Sequence, residues 1–166
     1  MNLKRLIRHL FTDHWSARRA FPAAALRAIE KAIGEEERRH VGELRFAVEA
    51  SLPFAELLRG ASARERAVDW FGRLRVWDTE RNCGVLVYLL LADRRVEIVA
   101  DRGIHARVGD AEWKTICGEM QREFSHGRFE RGVVAGVRAI GELLAAHFPA
   151  GEGDNLNELP DRPVVI

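Results

Sequence analysis

The run from Val85 to Ala92 is nearly continuous in apolar residues and rich in β-branched and aromatic side chains. A strand of that composition cannot leave either face in water, so the rest of the chain must cover both sides. Asp93 and Arg94 then make a tight polar turn. Val96, Ile98 and Ala100 alternate with Arg95, Glu97 and Val99, so a second strand returns as a hairpin. Upstream, Leu44, Phe46 and Val48 alternate with Arg45, Ala47 and Glu49, which predicts a half-buried strand over 43–49. Between these strands, Ser62 and Glu65 form a capping box ahead of Val68, Trp70, Phe71 and Leu74, predicting a helix over 62–74. A helical crossover normally leaves its two strands parallel. The expectation is one α/β domain whose mixed sheet combines a βαβ crossover with a β-hairpin.

Helices account for most of the remainder. Pro22 opens one with Leu26, Ile29 and Ile33 on its buried stripe. Asp110 is read as the cap of a second, carrying Trp113, Ile116, Cys117, Met120 and Phe124 and broken by Gly127. The last carries Phe129, Val133, Val137, Ile140 and Leu144, with Gly132 and Gly136 four apart for close packing on the sheet. The 166 residues suit a single domain, which at this size buries roughly two thirds of its unfolded surface. We divide it into a basic amphipathic N-terminal helix (1–20), the α/β domain (21–149) and a polar tail (150–166) whose order depends on docking. Leu3, Leu6, Ile7, Leu10 and Phe11 recur at helical spacing between Lys4, Arg5 and Arg8. Two uses fit that pattern: docking on the domain or a dimer partner, and weak contact of residues 1–12 with an anionic membrane surface.

Several functions are disfavoured by composition. Lys+Arg 26 against Asp+Glu 25 gives no basic field, so no nucleic-acid partner is expected. Cys83 and Cys117 lack the spacing of a zinc site or a disulfide framework. No secretory signal or membrane-spanning segment is read, and the expected location is cytoplasmic, with the inner membrane face as a peripheral position. Phosphate-loop, nucleophile-elbow and zinc-protease motifs are missing.

Parallel strands at 43–49 and 84–92, with the third strand antiparallel, bring the two strand starts and the third strand's end to one sheet edge. Glu43, Arg45, Asp78, Thr79, Arg81, Asn82 and Asp101 lie there. Glu43, Asp78 and Asp101 are the candidate ligands of a hard cation, Ca²⁺ or Mg²⁺. Arg45, Arg81 and Asn82 are the candidate anion-binding groups. An ordinary ion-pair network stitching loop to sheet explains the same residues, and the catalytic residues stay unassigned. Gly84 and Gly103 serve either close backbone approach at a site or turns. The opposite edge, with Ser51, Asp93 and Arg94, reads as hairpin surface.

The run Asp78-Thr79-Glu80-Arg81-Asn82-Cys83-Gly84-Val85-Leu86-Val87-Tyr88, followed by Asp93-Arg94-Arg95-Val96-Glu97-Ile98-Val99 and Asp101-Arg102-Gly103-Ile104, resembles the TPM domain family. Gly42-Glu43-Leu44-Arg45 resembles its first strand. Phe124, Gly127, Phe129, Gly132 and Gly136 fit its closing helices, and Asn157-Glu158-Leu159-Pro160-Asp161 resembles the tail of its short cytoplasmic branch. The resemblance covers most of residues 22–161. It implies an α/β/α sandwich with helices on both faces, and links to Ca²⁺ binding, weak acid phosphatase activity, photosystem repair, and bacterial membrane proteins encoded beside LemA-type partners. Many members have Asp-Asn-Gly where this chain has Asn82-Cys83-Gly84, one carboxylate fewer at that edge. The signal segment and membrane anchor of longer members are also not read here. The expected role is an accessory or interaction protein with a divalent-cation site at that edge; a weak metal-assisted acid phosphatase is the alternative.

Overall fold

The computed structural model describes residues 3–151 and 157–166. Its order of elements is α1 (Leu3–Phe11), α2 (His14–Ala20), α3 (Ala23–Glu36), a 3-10 turn (Glu37–Arg39), β1 (Glu43–Glu49), α4 (Phe54–Leu58), α5 (Ala63–Arg73), β2 (Gly84–Leu90), β3 (Arg95–Ala100), α6 (Arg102–His105), α7 (Asp110–Ser125), α8 (Phe129–His147) and β4 (Val164–Val165). The sheet runs β3-β2-β1-β4. β1 and β2 are parallel from Glu43 opposite Gly84 to Glu49 opposite Leu90, and β3 returns antiparallel with Ala100 opposite Val85. The crossover read from the sequence is therefore present, with its Ser62–Glu65 capping box formed at the start of α5.

Side chains alternate across this sheet, and each face has its own cover. Leu44, Phe46, Val48, Val85, Val87, Leu89, Val96 and Ile98 pack on α3, α7 and α8. Ala47, Leu86, Tyr88, Leu90 and Val99 pack on α4 and α5 through Leu57, Ala63 and Ala67. The result is an α/β/α sandwich. Gly132 and Gly136 do not meet the sheet as expected. A Cβ on Gly132 would lie 2.6 Å from the Phe124 ring, and one on Gly136 would overlap Met120, so both allow α8 to lie close against α7.

Three other differences have physical causes. β1 is buried along its whole length rather than on one face, because α4, α5 and the C-terminal segment at Leu159–Pro160 cover its polar side and β4 pairs with Ala47 and Val48 on its edge. The N-terminal segment is two helices, since Asp13 caps α2 through the Ser16 N–H and ends the preceding turn. α7 has Gly109 rather than Asp110 at its cap, and Asp110 supplies first-turn negative charge instead. The tail docks through 157–166; residues 152–156 of that expectation lie outside the described residues.

Candidate functional site

The predicted edge is assembled by backbone bonds. The Glu43 N–H donates to the Cys83 carbonyl and the Asp101 N–H to the Gly84 carbonyl, both at 3.0 Å or less. Thr79 Oγ1 accepts the Cys83 N–H at 2.9 Å and so closes the 78–83 loop over the start of β2. Asn82 takes a positive φ of 52° in that loop. Glycines explain how tightly it closes: a Cβ on Gly84 would overlap the Val76 carbonyl, and one on Gly103 would lie 2.6 Å from the Asn82 carbonyl oxygen. The close approaches at both glycines are therefore made by the chain's own backbone.

The side chains gathered there have separate partners. Glu43 Oε2 accepts the Leu159 N–H at 3.0 Å, and Arg45 Nη1 donates to the Pro160 carbonyl at 2.6 Å. Both are buried, so these two residues hold the C-terminal segment against β1. Asp78 is exposed and pairs with Arg75 at 2.7 Å. Arg81 and Asn82 are exposed on the loop. Asp101 caps α6 with Oδ1, which accepts the Arg102 N–H at 2.6 Å; its Oδ2 is buried without a hydrogen-bond partner. Among the described residues, no group of three or more His, Cys, Asp or Glu side chains is arranged to hold a metal ion.

Beneath the tail, Glu43 is joined by a carboxyl that the sequence reading missed. Glu37 Oε1 accepts the Leu44 N–H at 2.7 Å. Burial pushes its carboxyl up to about 9, against the pull of that N–H and with Glu43 and Asp161 adding to the rise. Glu43 is also raised by burial, and Arg45 is lowered by it. Nothing in the charged run Glu35-Glu36-Glu37-Arg38-Arg39 marks one glutamate as internal. His40, wholly buried, is lowered to about 4 because burial disfavours the imidazolium.

The opposite edge, read as plain surface, is where α1 attaches. Asp93 meets Arg5 Nε at 2.9 Å, Arg8 Nη2 at 3.1 Å and His9 Nε2 at 3.2 Å. Arg5 also donates to the Ala61 carbonyl at 2.7 Å, and His9 Nδ1 accepts the Leu52 N–H at 3.0 Å. Because Nδ1 accepts, the ring proton sits on Nε2, toward Asp93. Burial lowers the histidine and favours this neutral form. Arg5, Leu6 and His9 of α1 thus face the domain, and the rest of its apolar surface faces outward: Leu3, Leu10 and Phe11 are 64–81 % exposed, joined by Ile7 and by Trp15 of α2. A neighbouring cleft of about 610 Å³ is lined by Arg8, Arg19 and Arg94. Between α5 and the sheet, Glu49 accepts from Tyr88 Oη, from Arg66 Nε and Nη2 at 3.2 and 2.5 Å, and from Trp70 Nε1 at 3.2 Å.

Comparison with known proteins agrees with this architecture. The family model of the TPM domain matches residues 18–143. The solved NMR structure of the BA42 protein from the psychrophilic bacterium Bizionia argentinensis is similar, with 31% identity and a TM-score of 0.77 over 88% of this chain and 95% of that one. No curated protein matches.

Proposed function

Because the chain belongs to the TPM domain family, we propose that it is an accessory domain that sits peripherally on an anionic membrane face and there meets a protein partner. The LemA-type protein implied by the family resemblance is the kind of partner we expect. The observation that carries this reading is the orientation of α1. Asp93 takes the basic side of the helix and leaves Leu3, Ile7, Leu10 and Phe11 in solvent, with Trp15 nearby. Isolated exposed apolar residues are ordinary, but five within thirteen positions amount to a patch that water does not favour. The arginine-lined cleft beside it supplies attraction for phosphate headgroups. No helix among the described residues is long and apolar enough to cross a membrane, so attachment would be interfacial.

Sedimentation with vesicles tests this. Binding to vesicles containing phosphatidylglycerol, weaker binding to pure phosphatidylcholine, and loss on Leu10→Glu/Phe11→Glu are expected. Equal pelleting of wild type and variant ends the proposal.

Asp101 favours a second reading, the weak metal-assisted phosphatase. Its unpartnered Oδ2 and the nearby 78–83 loop offer oxygen donors of the type Ca²⁺ and Mg²⁺ take. With Glu43 and Asp78 engaged elsewhere, Asp101 and Asn82 would hold an ion largely completed by water, and such an ion supplies charge to polarise a phosphate oxygen. Arg81, exposed on the same loop, would hold the anion. Turnover of a chromogenic phosphate ester that rises with added ion and falls in Asp101→Asn supports it. Equal rates in every sample, with no ion-dependent rise in melting temperature, remove it.

A further inference from the structure

The cleft of about 610 Å³ beside α1 lies where separate parts of the chain meet. Arg8 of α1, Arg19 of α2 and Arg94 of the β2–β3 turn line it, with Gly127 and Phe129 at the start of α8. Its volume falls within the range of small-ligand sites. Among the described residues that line it, none is an aspartate or glutamate. Arg8 gives Nη2 to Asp93 at 3.1 Å and stays 55% exposed, and Arg94 gives Nη1 to the Ser125 carbonyl at a long 3.4 Å. Arg19 and Arg94, both exposed, make no ion pair among the described residues; Arg19 acts on Asp13 only at longer range. Thr12 and Ser16 also line the cleft, but their hydroxyls donate to the Arg8 carbonyl and to Asp13 Oδ1, so recognition there falls to the guanidiniums.

The neighbouring carboxylates do not neutralise it. Asp93 is shared by Arg5, Arg8 and His9, and Asp13 is held by the Ser16 N–H. Glu123 is taken by Arg128 and Arg131, and Glu130 lines a separate cleft against α3. Arg5, Arg8, Arg19 and Arg94 against Asp13 and Asp93, with His9 neutral, leave two positive charges. The start of α8 has no side-chain cap, and the positive end of its dipole adds to that field. Phe11 and Trp15, each one residue before a residue that lines the cleft, are exposed. An anion held there would sit beside the apolar surface of α1 and α2.

We infer that this cleft binds a phosphomonoester, held as its dianion by Arg8, Arg19 and Arg94 and carried on the headgroup of a membrane lipid. The charge selects the group: a phosphomonoester carries about −1.5 to −2 at neutral pH with three acceptor oxygens, whereas a phosphodiester carries a single charge. Guanidinium forks match those oxygens in geometry as well. The lipid as carrier rests on the membrane attachment proposed above, because the exposed apolar row of α1 and α2 borders the cleft. The cleft stands at the end of the sheet opposite Asp101, so it is separate from the edge considered for phosphatase chemistry. Since its three arginines come from α1, α2 and the β2–β3 turn, a bound dianion ties the N-terminal helices to the sheet.

The test uses the full chain with two kinds of vesicle matched in surface charge, one containing phosphatidic acid and one phosphatidylglycerol, and with glycerol 3-phosphate as a soluble probe. Binding about tenfold tighter to phosphatidic acid is expected, the gain from one further close charge contact. Arg19→Gln and Arg94→Gln, both at exposed positions, should each remove that preference while keeping most binding to phosphatidylglycerol and the melting temperature. Glycerol 3-phosphate should shift the amides of Leu91–Arg94 and Gly127 and slow hydrogen exchange over residues 3–11, in Leu10→Glu as in the wild type. Those shifts without a preference for phosphatidic acid overturn the lipid as carrier and leave a soluble phosphomonoester as the ligand. Equal binding to both vesicles with no response to glycerol 3-phosphate overturns the inference and leaves membrane attachment standing. Failure to bind any vesicle ends the membrane attachment instead, and the response to the soluble probe still decides the site.

Discussion

Glu37→Gln should stabilise the protein at neutral pH and leave it unchanged in mild acid. The Glu37 carboxyl is buried, accepts the Leu44 N–H, and lies near Glu43 and Asp161. Its folded value of about 9 stands against an unfolded value of 4.5. A carboxyl raised on folding holds its proton in the native state while the unfolded chain gives it up. Its contribution is therefore intact below 4.5 and declines as pH rises, at about 1.4 kcal/mol per unit, until the folded group also ionises near 9. At pH 7.5 the accumulated loss is up to about 4 kcal/mol. Glutamine keeps the acceptor for Leu44 and a donor for Asp161, and it has no proton to lose. Urea denaturation of both proteins from pH 4.5 to 8.5 measures the difference directly, since titrating groups remote from Glu37 cancel. A difference that opens with rising pH is expected. Parallel curves, or a variant that is less stable throughout, would refute the account of a protonated Glu37.

Asp93→Ala should loosen α1 without unfolding the domain. Losing the Arg5 pair and the His9 contact costs about 2 kcal/mol of docking, which raises the undocked population roughly thirtyfold and is read as faster hydrogen exchange over residues 3–11. Arg66→Ala leaves Glu49 buried with only Tyr88 and Trp70, so a loss of about 3–5 kcal/mol and a melting temperature lower by about 10 °C are expected. Removing residues 157–166 strips the partners from Glu43 and Arg45 and exposes the β1 edge; lower stability and concentration-dependent association on gel filtration should follow. Acidification should destabilise through His40. A base lowered to about 4 on folding contributes fully above 6.5 and loses that contribution as pH falls toward 4, so His40→Gln should flatten the acid limb of the melting curve.

The sandwich was legible because its signals are local and periodic. The apolar run of β2, the alternation of β1 and β3 and the capping box of α5 each fix an element, and the crossover rule fixes how they pair. That pairing correctly placed Glu43, Asp78–Asn82 and Asp101 at one edge. Which of them share a partner was not legible, because it depends on where the tail lies. Val164 and Val165 are too short a strand to stand out, and nothing before β1 announces that Glu43 and Arg45 will bind the backbone of Leu159 and Pro160. Asp93 was misjudged for the same reason. As a turn residue it needs no partner, and its ion pairs are made with positions more than eighty residues away.

Those two long-range attachments assign different work to the two ends of the sheet. At the edge formed by the starts of β1 and β2, Glu43 and Arg45 are consumed in holding the tail, which closes the β1 side with β4. At the other, Asp93 holds α1 through Arg5 and His9, with Arg8 at the rim, and Leu3, Ile7, Leu10 and Phe11 are left in solvent. Among the described residues, the outer face of α1 is an apolar surface that the fold leaves in solvent. An apolar face beside arginines suits a lipid interface. That reading of α1 is itself testable: Leu10→Glu should weaken vesicle binding and leave the melting temperature unchanged, whereas a fall in melting temperature would mean that the outer face is packed rather than presented.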